Sequence, residues 1–283
     1  MRNSAGGFAG TVGRVVSIGG RTIQVLGKAR RILDCFSPEQ PELTFGQLRR
    51  ATGLPPSTCL RLLNSLLEFG FLEREGDRWR PGIRLLTWAA AAAEGMDIGR
   101  RAGPVLRRLR DATGETAAVW VQRGGVRVSL AIEETHHPVR RLLSVGQVLP
   151  LHAGSGGKVL LAYDEALAQR VLSGPLQRYT ERTLVDREAW EAELALIRRR
   201  GYAVSFEERD REAASISAPV FDAGGRIAGA VGIAGPSQRF QPDRMEAWVR
   251  SVLEAAAELS RQLGYRAAAG SEQPAPAAGG GTP

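Results

Sequence analysis

Cysteine, histidine and lysine are all scarce in this 283-residue chain, and each scarcity closes off a class of chemistry. Two cysteines, Cys35 and Cys59, cannot build a disulfide framework or a four-thiolate zinc site, and they suit a reducing compartment such as the cytoplasm. Histidine occurs only at His136, His137 and His152. Lysine occurs only at Lys28 and Lys158, against 36 arginines, an imbalance that follows codon usage and says nothing of function. No apolar run is long enough for a membrane span. The longest mostly apolar stretch, Ile83–Ala93, is well short of the ~20 residues a spanning helix needs. Residues 1–21 have no apolar core of the signal-peptide kind.

Charge is present in quantity, and its placement is informative. The formal net charge is +8, yet residues 1–84 carry 13 basic and 7 acidic side chains, while the other 199 carry 25 and 23. The positive field therefore concentrates on the first third, where a polyanion would dock. The length suits about two domains. The reading places a disordered tail at 1–21 and a first domain at 22–82. A linker helix follows at 83–97, a second domain at 98–265, and an Ala/Gly/Pro tail at 266–283.

The first domain reads as a winged helix-turn-helix. Leu26, Ala29, Ile32, Leu33 and Phe36 recur at helical spacing. Thr44 and Gln47 form a capping-box pattern that opens a second helix, and Gly53 stands at its C′ position. Pro55-Pro56 then restarts the chain into a third helix of about Pro56–Phe69. Leu60, Leu62, Leu63, Leu66 and Leu67 take one side of that helix; Ser57, Thr58, Arg61, Asn64, Ser65 and Glu68 take the other. Ser57 and Thr58 suit phosphate contacts, and Arg61 and Asn64 suit base edges in a major groove. Glu75-Gly76-Asp77 turns a hairpin whose Arg74, Arg78 and Arg80 would meet the DNA backbone. Thr44 and Ser65 complete the candidate DNA-binding set.

Ile83–Ala93 reads as a helix that either packs on a partner protomer or merely connects. Ile98–Ala112 is a second amphipathic helix with arginines outward. Thr116–Gln122 and Val126–Ile132 read as a hairpin about Gly124-Gly125, and Val139–Val145 as a third strand. Helices are expected at Lys158–Tyr163, Asp164–Leu172 and Asp186–Arg200. Strands are expected at Tyr202–Phe206, Ile216–Phe221 and Ile227–Ala234, and a closing helix at Asp243–Leu263. The whole is an α+β chain with a mostly antiparallel sheet flanked by helices in its second half.

Enzymatic patterns fail on spacing. Gly154-Ser155-Gly156-Gly157-Lys158 lacks the earlier glycine of a phosphate loop, where His152 stands, and has Val159 where a hydroxyl is required. Ser155 with His152 three residues away is poor geometry for a relay. His136 and His137 are adjacent and would point to opposite faces of a strand, so no metal site is expected. Glu207-Glu208 reads as a salt-bridged structural pair, and no cofactor is expected.

Several motifs, in order, resemble the IclR family of bacterial transcription regulators. They are Pro56-Ser57-Thr58 with Arg61-Leu62-Leu63, Leu149-Pro150-Leu151-His152-Ala153 leading to Gly157-Lys158, and Arg200-Gly201-Tyr202-Ala203-Val204 with Glu207-Glu208. Ser217-Ala218-Pro219-Val220-Phe221-Asp222 and Gly235-Pro236 complete the set. The resemblance implies a GAF-like second domain that binds a small effector, often an organic acid, over its sheet. It also implies a homodimer or homotetramer on a near-palindromic duplex operator, acting as a repressor. Backbone N–H groups of Ser155 and Gly156 would face the ligand. Ser205, Ser215, Gly232 and Ala234 stand where the family often has an acid, a cysteine and serines, so fewer side-chain hydrogen bonds and more room are expected. Leu142, Leu149 and Trp120 are either apolar walls or core. The alternative is an enzyme acting on a small acid with a fused winged helix.

Overall fold

The computed structural model describes residues 23–37, 40–94, 97–140 and 143–266. Apart from Arg266, both tails read above as disordered lie outside the described residues, as does Leu142. The chain forms two compact units, residues 1–95 and 96–283.

The first unit runs α1 (Gln24–Leu33), β1 (Leu43–Thr44), α2 (Phe45–Thr52), α3 (Pro56–Glu68), β2 (Leu72–Glu75), β3 (Arg78–Pro81) and α4 (Ile83–Glu94). Thr44 caps α2 through a capping box: its N–H donates to Gln47 Oε1 at 2.8 Å, and its hydroxyl accepts from the Gln47 N–H at 3.4 Å. Gly53 ends α2 at φ 63°, a left-handed position that favours glycine. The three strands form an antiparallel sheet in the order β1-β3-β2. Ile32, Leu48, Leu63, Leu72 and Trp79 pack its core.

Three apolar residues face outward instead of into the core. Leu26 is exposed, and so are Leu60 and Leu67; the inward side of α3 is Cys59, Leu62, Leu63 and Leu66. Burial pushes both the Cys35 and the Cys59 thiols up. The wing and α4 join through Glu73. One of its carboxylate oxygens accepts the Ile83 N–H at 3.1 Å and the other takes Arg80 at 3.0 Å. The first bond, then the second, holds its carboxyl below the usual range.

The second unit begins with α5 (Asp97–Thr113), β4 (Thr116–Arg123), β5 (Val126–Glu133) and β6 (Val148–Leu149). It continues through α6 (Ser155–Ala162), α7 (Glu165–Leu172), α8 (Arg187–Arg200), β7 (Ala203–Phe206), β8 (Ala213–Phe221), β9 (Ile227–Pro236) and α9 (Pro242–Gln262). Six strands make an antiparallel sheet in the order β6-β5-β4-β9-β8-β7. Period-2 alternation gives it two buried faces. Val119, Val121, Ile216 and Val231 meet α5 and α9, while Ala118, Trp120, Ser217 and Ala230 belong to the other face.

The strand expected at Val139–Val145 is absent among the described residues. Leu143 is buried, but Val139 and Val145 are exposed, and a turn closes with the Gln147 N–H on Ser144 O. Pairing with β5 begins at Gly146, whose φ is 81° and whose N–H donates to Ser129 O at 2.7 Å, and the third strand is therefore β6.

Two predictions arise. A Cβ at Gly157 would overlap the Leu151 carbonyl, where backbone cannot yield. Gly157→Ala should cost about 3 kcal/mol in urea unfolding, the upper end for overpacking. Glu73, whose carboxyl titrates lower folded than unfolded, should stabilise the wing–α4 junction at neutral pH and lose that contribution below about pH 4. Glu73→Gln should remove that part of the acid dependence in a pH series of melts.

Candidate effector cavity and nucleic-acid interface

Core packing of the first unit leaves one stripe of α3 facing outward. Ser57, Arg61 and Asn64 are exposed and lie within about 60° of each other around the helix; Thr58 and Ser65 are half-buried on its flank. Beside α3 is a groove of about 380 Å³ lined by Thr44, Phe45, Gly46, Leu60, Arg74, Asp77 and Trp79. The wing arginines differ from one another. Arg74 donates to Gly76 O at 2.9 Å and lies 5.2 Å from the Trp79 ring centroid. Arg80 is held by Glu73 at 3.0 Å and Glu75 at 3.2 Å. Arg78 is exposed and makes no ion pair among the described residues.

In the second unit, the loop Leu151–Gly154 leads into α6 over the inner face of the sheet. A cavity of about 40 Å³ lies there, lined by Trp120, Leu143 and Leu149 at one side and Ser205, Ser215 and Ala234 at another. Arg127, Gly154, Glu208, Arg209, Asp210, Ala213 and Ala214 close it. Of the residues singled out from sequence, Leu149, Ser205, Ser215 and Ala234 line this cavity, and Trp120 does too. Ser155, Gly156 and Gly232 do not.

Each of those three has a visible reason. The Ser155 hydroxyl is engaged with Ser215 at 2.8 Å and Ser217 at 2.7 Å. Gly156 sits under the Trp120 ring, where a Cβ would fall 2.9 Å from Trp120 Cε3. At Gly232 a Cβ would overlap Ile216 O, so a serine there would not fit. The volume freed by Gly154 and Gly156 is taken by Arg127, whose Nη2 would stand 2.5 Å from a Cβ at 154.

Arg127 lies buried on β5, its Cζ 5.6 Å from the Trp120 ring centroid, donating to Pro150 O at 3.1 Å and Ala153 O at 2.9 Å. Behind the loop, buried Lys158 meets Glu208 at 2.6 Å, Glu193 at 2.9 Å and Val204 O at 3.0 Å. The second oxygen of Glu208 accepts the Gly154 N–H at 3.1 Å. His152 bonds Gln177 O at 2.9 Å and stacks on Tyr179, whose phenol is pushed up by burial. It is therefore not paired with Ser155, and no serine–histidine relay is assembled. Among the described residues no group of three or more His, Cys, Asp or Glu could hold a metal ion, and no helix is long and apolar enough to cross a membrane.

Arg127 and Glu208 are cavity residues that the sequence does not reveal. Arg127 alternates with valines on β5, as an exposed arginine would; the glycines at 154 and 156 were the available signal.

Residues 25–76 match the IclR helix-turn-helix domain, and residues 90–261 match the bacterial transcriptional regulator IclR C-terminal domain. The chain is 35% identical over 268 residues to the HTH-type transcriptional regulator BhcR of Paracoccus denitrificans, covering 93% of this chain and 95% of that protein. It is 30% identical over 262 residues to the HTH-type transcriptional repressor AllR of Escherichia coli, covering 91% and 97%. Among solved structures it is similar to an IclR homolog complexed with 4-hydroxybenzoate from Microbacterium hydrocarbonoxydans, with a TM-score of 0.73, 28% identity, and 84% and 98% coverage. With both domains matched in order, a winged helix-turn-helix before an antiparallel-sheet domain, the chain belongs to the IclR family of bacterial transcription regulators.

Proposed function

We propose that this regulator is a repressor whose operator binding is modulated by a small carboxylic acid held in the second unit, and that it works in the cytoplasm. The observation that carries the DNA half is the outward stripe of α3, where Ser57, Arg61 and Asn64 are exposed beside a wing that carries Arg78. In this reading Arg61 and Asn64 meet base edges, and Ser57, Thr58, Ser65 and Thr44 meet phosphates. Arg78 neutralises a backbone phosphate. Arg74 and Arg80, which stack and pair within the hairpin, shape the wing first and touch DNA second.

Two protomers would place their α3 helices in successive major grooves of a near-palindromic site. Homodimer and homotetramer both satisfy that spacing. The acid would bind the cavity beside Arg127, Ser215 and Gly154, the residue before α6, with Ser205, Leu149 and Ala234 around it. By favouring one protomer arrangement over another, it shifts the fraction competent for the operator. Similarity to a named repressor and to a homolog solved with a hydroxy-aromatic acid supports this reading.

Fluorescence anisotropy against the chain's own upstream DNA and a random duplex tests it. Arg61→Ala should cut the specific-to-random affinity ratio by at least about 5-fold, the loss expected for about 1–3 kcal/mol of base discrimination. Arg78→Ala should weaken both duplexes alike and reduce the salt slope by about one. Arg80→Ala should alter the slope less, since its charge is already offset by Glu73 and Glu75. No preference for upstream DNA at any salt would refute the repressor reading.

A further inference from the structure

One leucine interrupts the polar stripe of α3. Leu60 is 44% exposed, inside the segment that matches the IclR helix-turn-helix domain. A lone exposed leucine is ordinary on a protein surface; what sets Leu60 apart is its place. It stands about 40° from Asn64 and about 60° from Ser57 around the helix, so it extends their stripe and not the buried side made by Cys59, Leu62, Leu63 and Leu66. At a spacing of four residues the Leu60 and Asn64 side chains are neighbours, their Cβ atoms about 5–6 Å apart.

Position along the helix matters as much as direction. A recognition helix touches base edges with its N-terminal residues. Leu60 is in the first half of α3, directly before Arg61, whereas Leu67, 38% exposed on the same flank, is near its end. The helix thus carries one exposed leucine among its base-facing residues and another beyond them.

The groove of about 380 Å³ beside α3 is lined by Leu60, Phe45 and Trp79 together with Arg74 and Asp77. Through Leu60 it is continuous with the DNA-reading face of α3, so its occupant is part of the duplex. A phosphate suits it poorly. Three of those side chains are apolar, Asp77 is negative, and Arg74 is already committed to Gly76 O and the Trp79 ring. The apolar group that base pairs present in the major groove is the C5-methyl of thymine. Asparagine reads N6 and N7 of adenine, and the thymine paired with that adenine shows its methyl in the same groove. We propose that Leu60 is a specificity-determining residue, covering the C5-methyl of a thymine in the base pair that Asn64 reads or in the pair next to it. This deepens the DNA-binding reading above and rests on it. Arg61 and Asn64 select by hydrogen bonds; Leu60 adds an apolar contact that neither supplies.

Deoxyuridine provides the test, because it pairs as thymidine does and lacks only the methyl. The full-length chain selects duplexes from a randomised pool, and each thymine of the preferred sequence is then replaced singly and measured by fluorescence anisotropy. For the native chain at least one replacement should weaken binding about 4-fold, the worth of one methyl taken out of water. Leu60→Ala should bind the thymine and deoxyuridine duplexes of that position equally, a double-mutant cycle that isolates the contact. Leu60→Met, which keeps an apolar side chain of similar volume, should retain the preference, so that its loss in Leu60→Ala reports the contact and not the fold. Leu67→Ala should retain it too. Insensitivity at every thymine, or a sensitivity that survives Leu60→Ala, would overturn the Leu60 assignment while leaving sequence-specific DNA binding intact. A pool that yields no preferred sequence would refute base reading by α3 itself, and the assignment with it.

Discussion

A lysine ammonium cannot be buried alone, and the second unit is arranged around one that is not. Lys158 sits at 5% exposure with Glu208, Glu193 and the Val204 carbonyl around its Nζ. Removing a single partner from such a cluster leaves an uncompensated buried charge, which costs several kcal/mol. The cluster therefore fixes α6 against β7 and α8. Glu208 extends its reach by accepting the Gly154 N–H with its other oxygen. The loop that precedes α6, and with it the floor of the cavity, is positioned by this electrostatic requirement together with buried Leu151; Gly154 ends the loop without a side chain, and Gly156 and Gly157 lie in the first turn of the helix that follows.

Those glycines make room for specific neighbours. Arg127 and Trp120 fill the volume beside 154 and 156, and the Leu151 carbonyl presses on 157. The cavity is smaller and more polar than a glycine-rich loop suggests. One wall carries a stacked guanidinium and indole; another carries Ser215, whose hydroxyl is bonded to Ser155 behind it. Ordinary hydrophobic burial governs the opposite face of the same sheet, where α5 and α9 cover Val119, Ile216 and Val231.

The first unit follows a different logic. Its core is saturated by Ile32, Leu48, Leu63, Leu72 and Trp79, and the polar residues of α3 have nowhere to go but outward. In the wing, local ion pairs sort three arginines that look alike in sequence. Arg80 is committed to two glutamates and Arg74 to Trp79 and Gly76, while Arg78 extends without an ion pair among the described residues. A count of positive charge overstates what this surface offers a phosphate.

Signals carried within a few residues were legible in the sequence. The Thr44–Gln47 capping box, the Gly53 helix stop, the proline restart at Pro55-Pro56, the Gly124-Gly125 hairpin and the alternation of β8 and β9 are short-range, and local sterics and hydrogen bonding decide them. Leu60 and Leu67 misled because a helical wheel ranks residues by type, while the width of the buried arc is set by what packs against it. Val139–Val145 misled because an apolar period cannot say whether a partner strand is in reach. By itself the sequence determined the order of helices and strands, the two-part organisation of charge and the outward stripe of α3. Only the tertiary structure decided that Arg127 is a buried cavity residue and that Glu208 orients the loop. Each of these depends on contacts between segments far apart in the chain, and burial and pairing across such distances leave no periodic mark in the sequence.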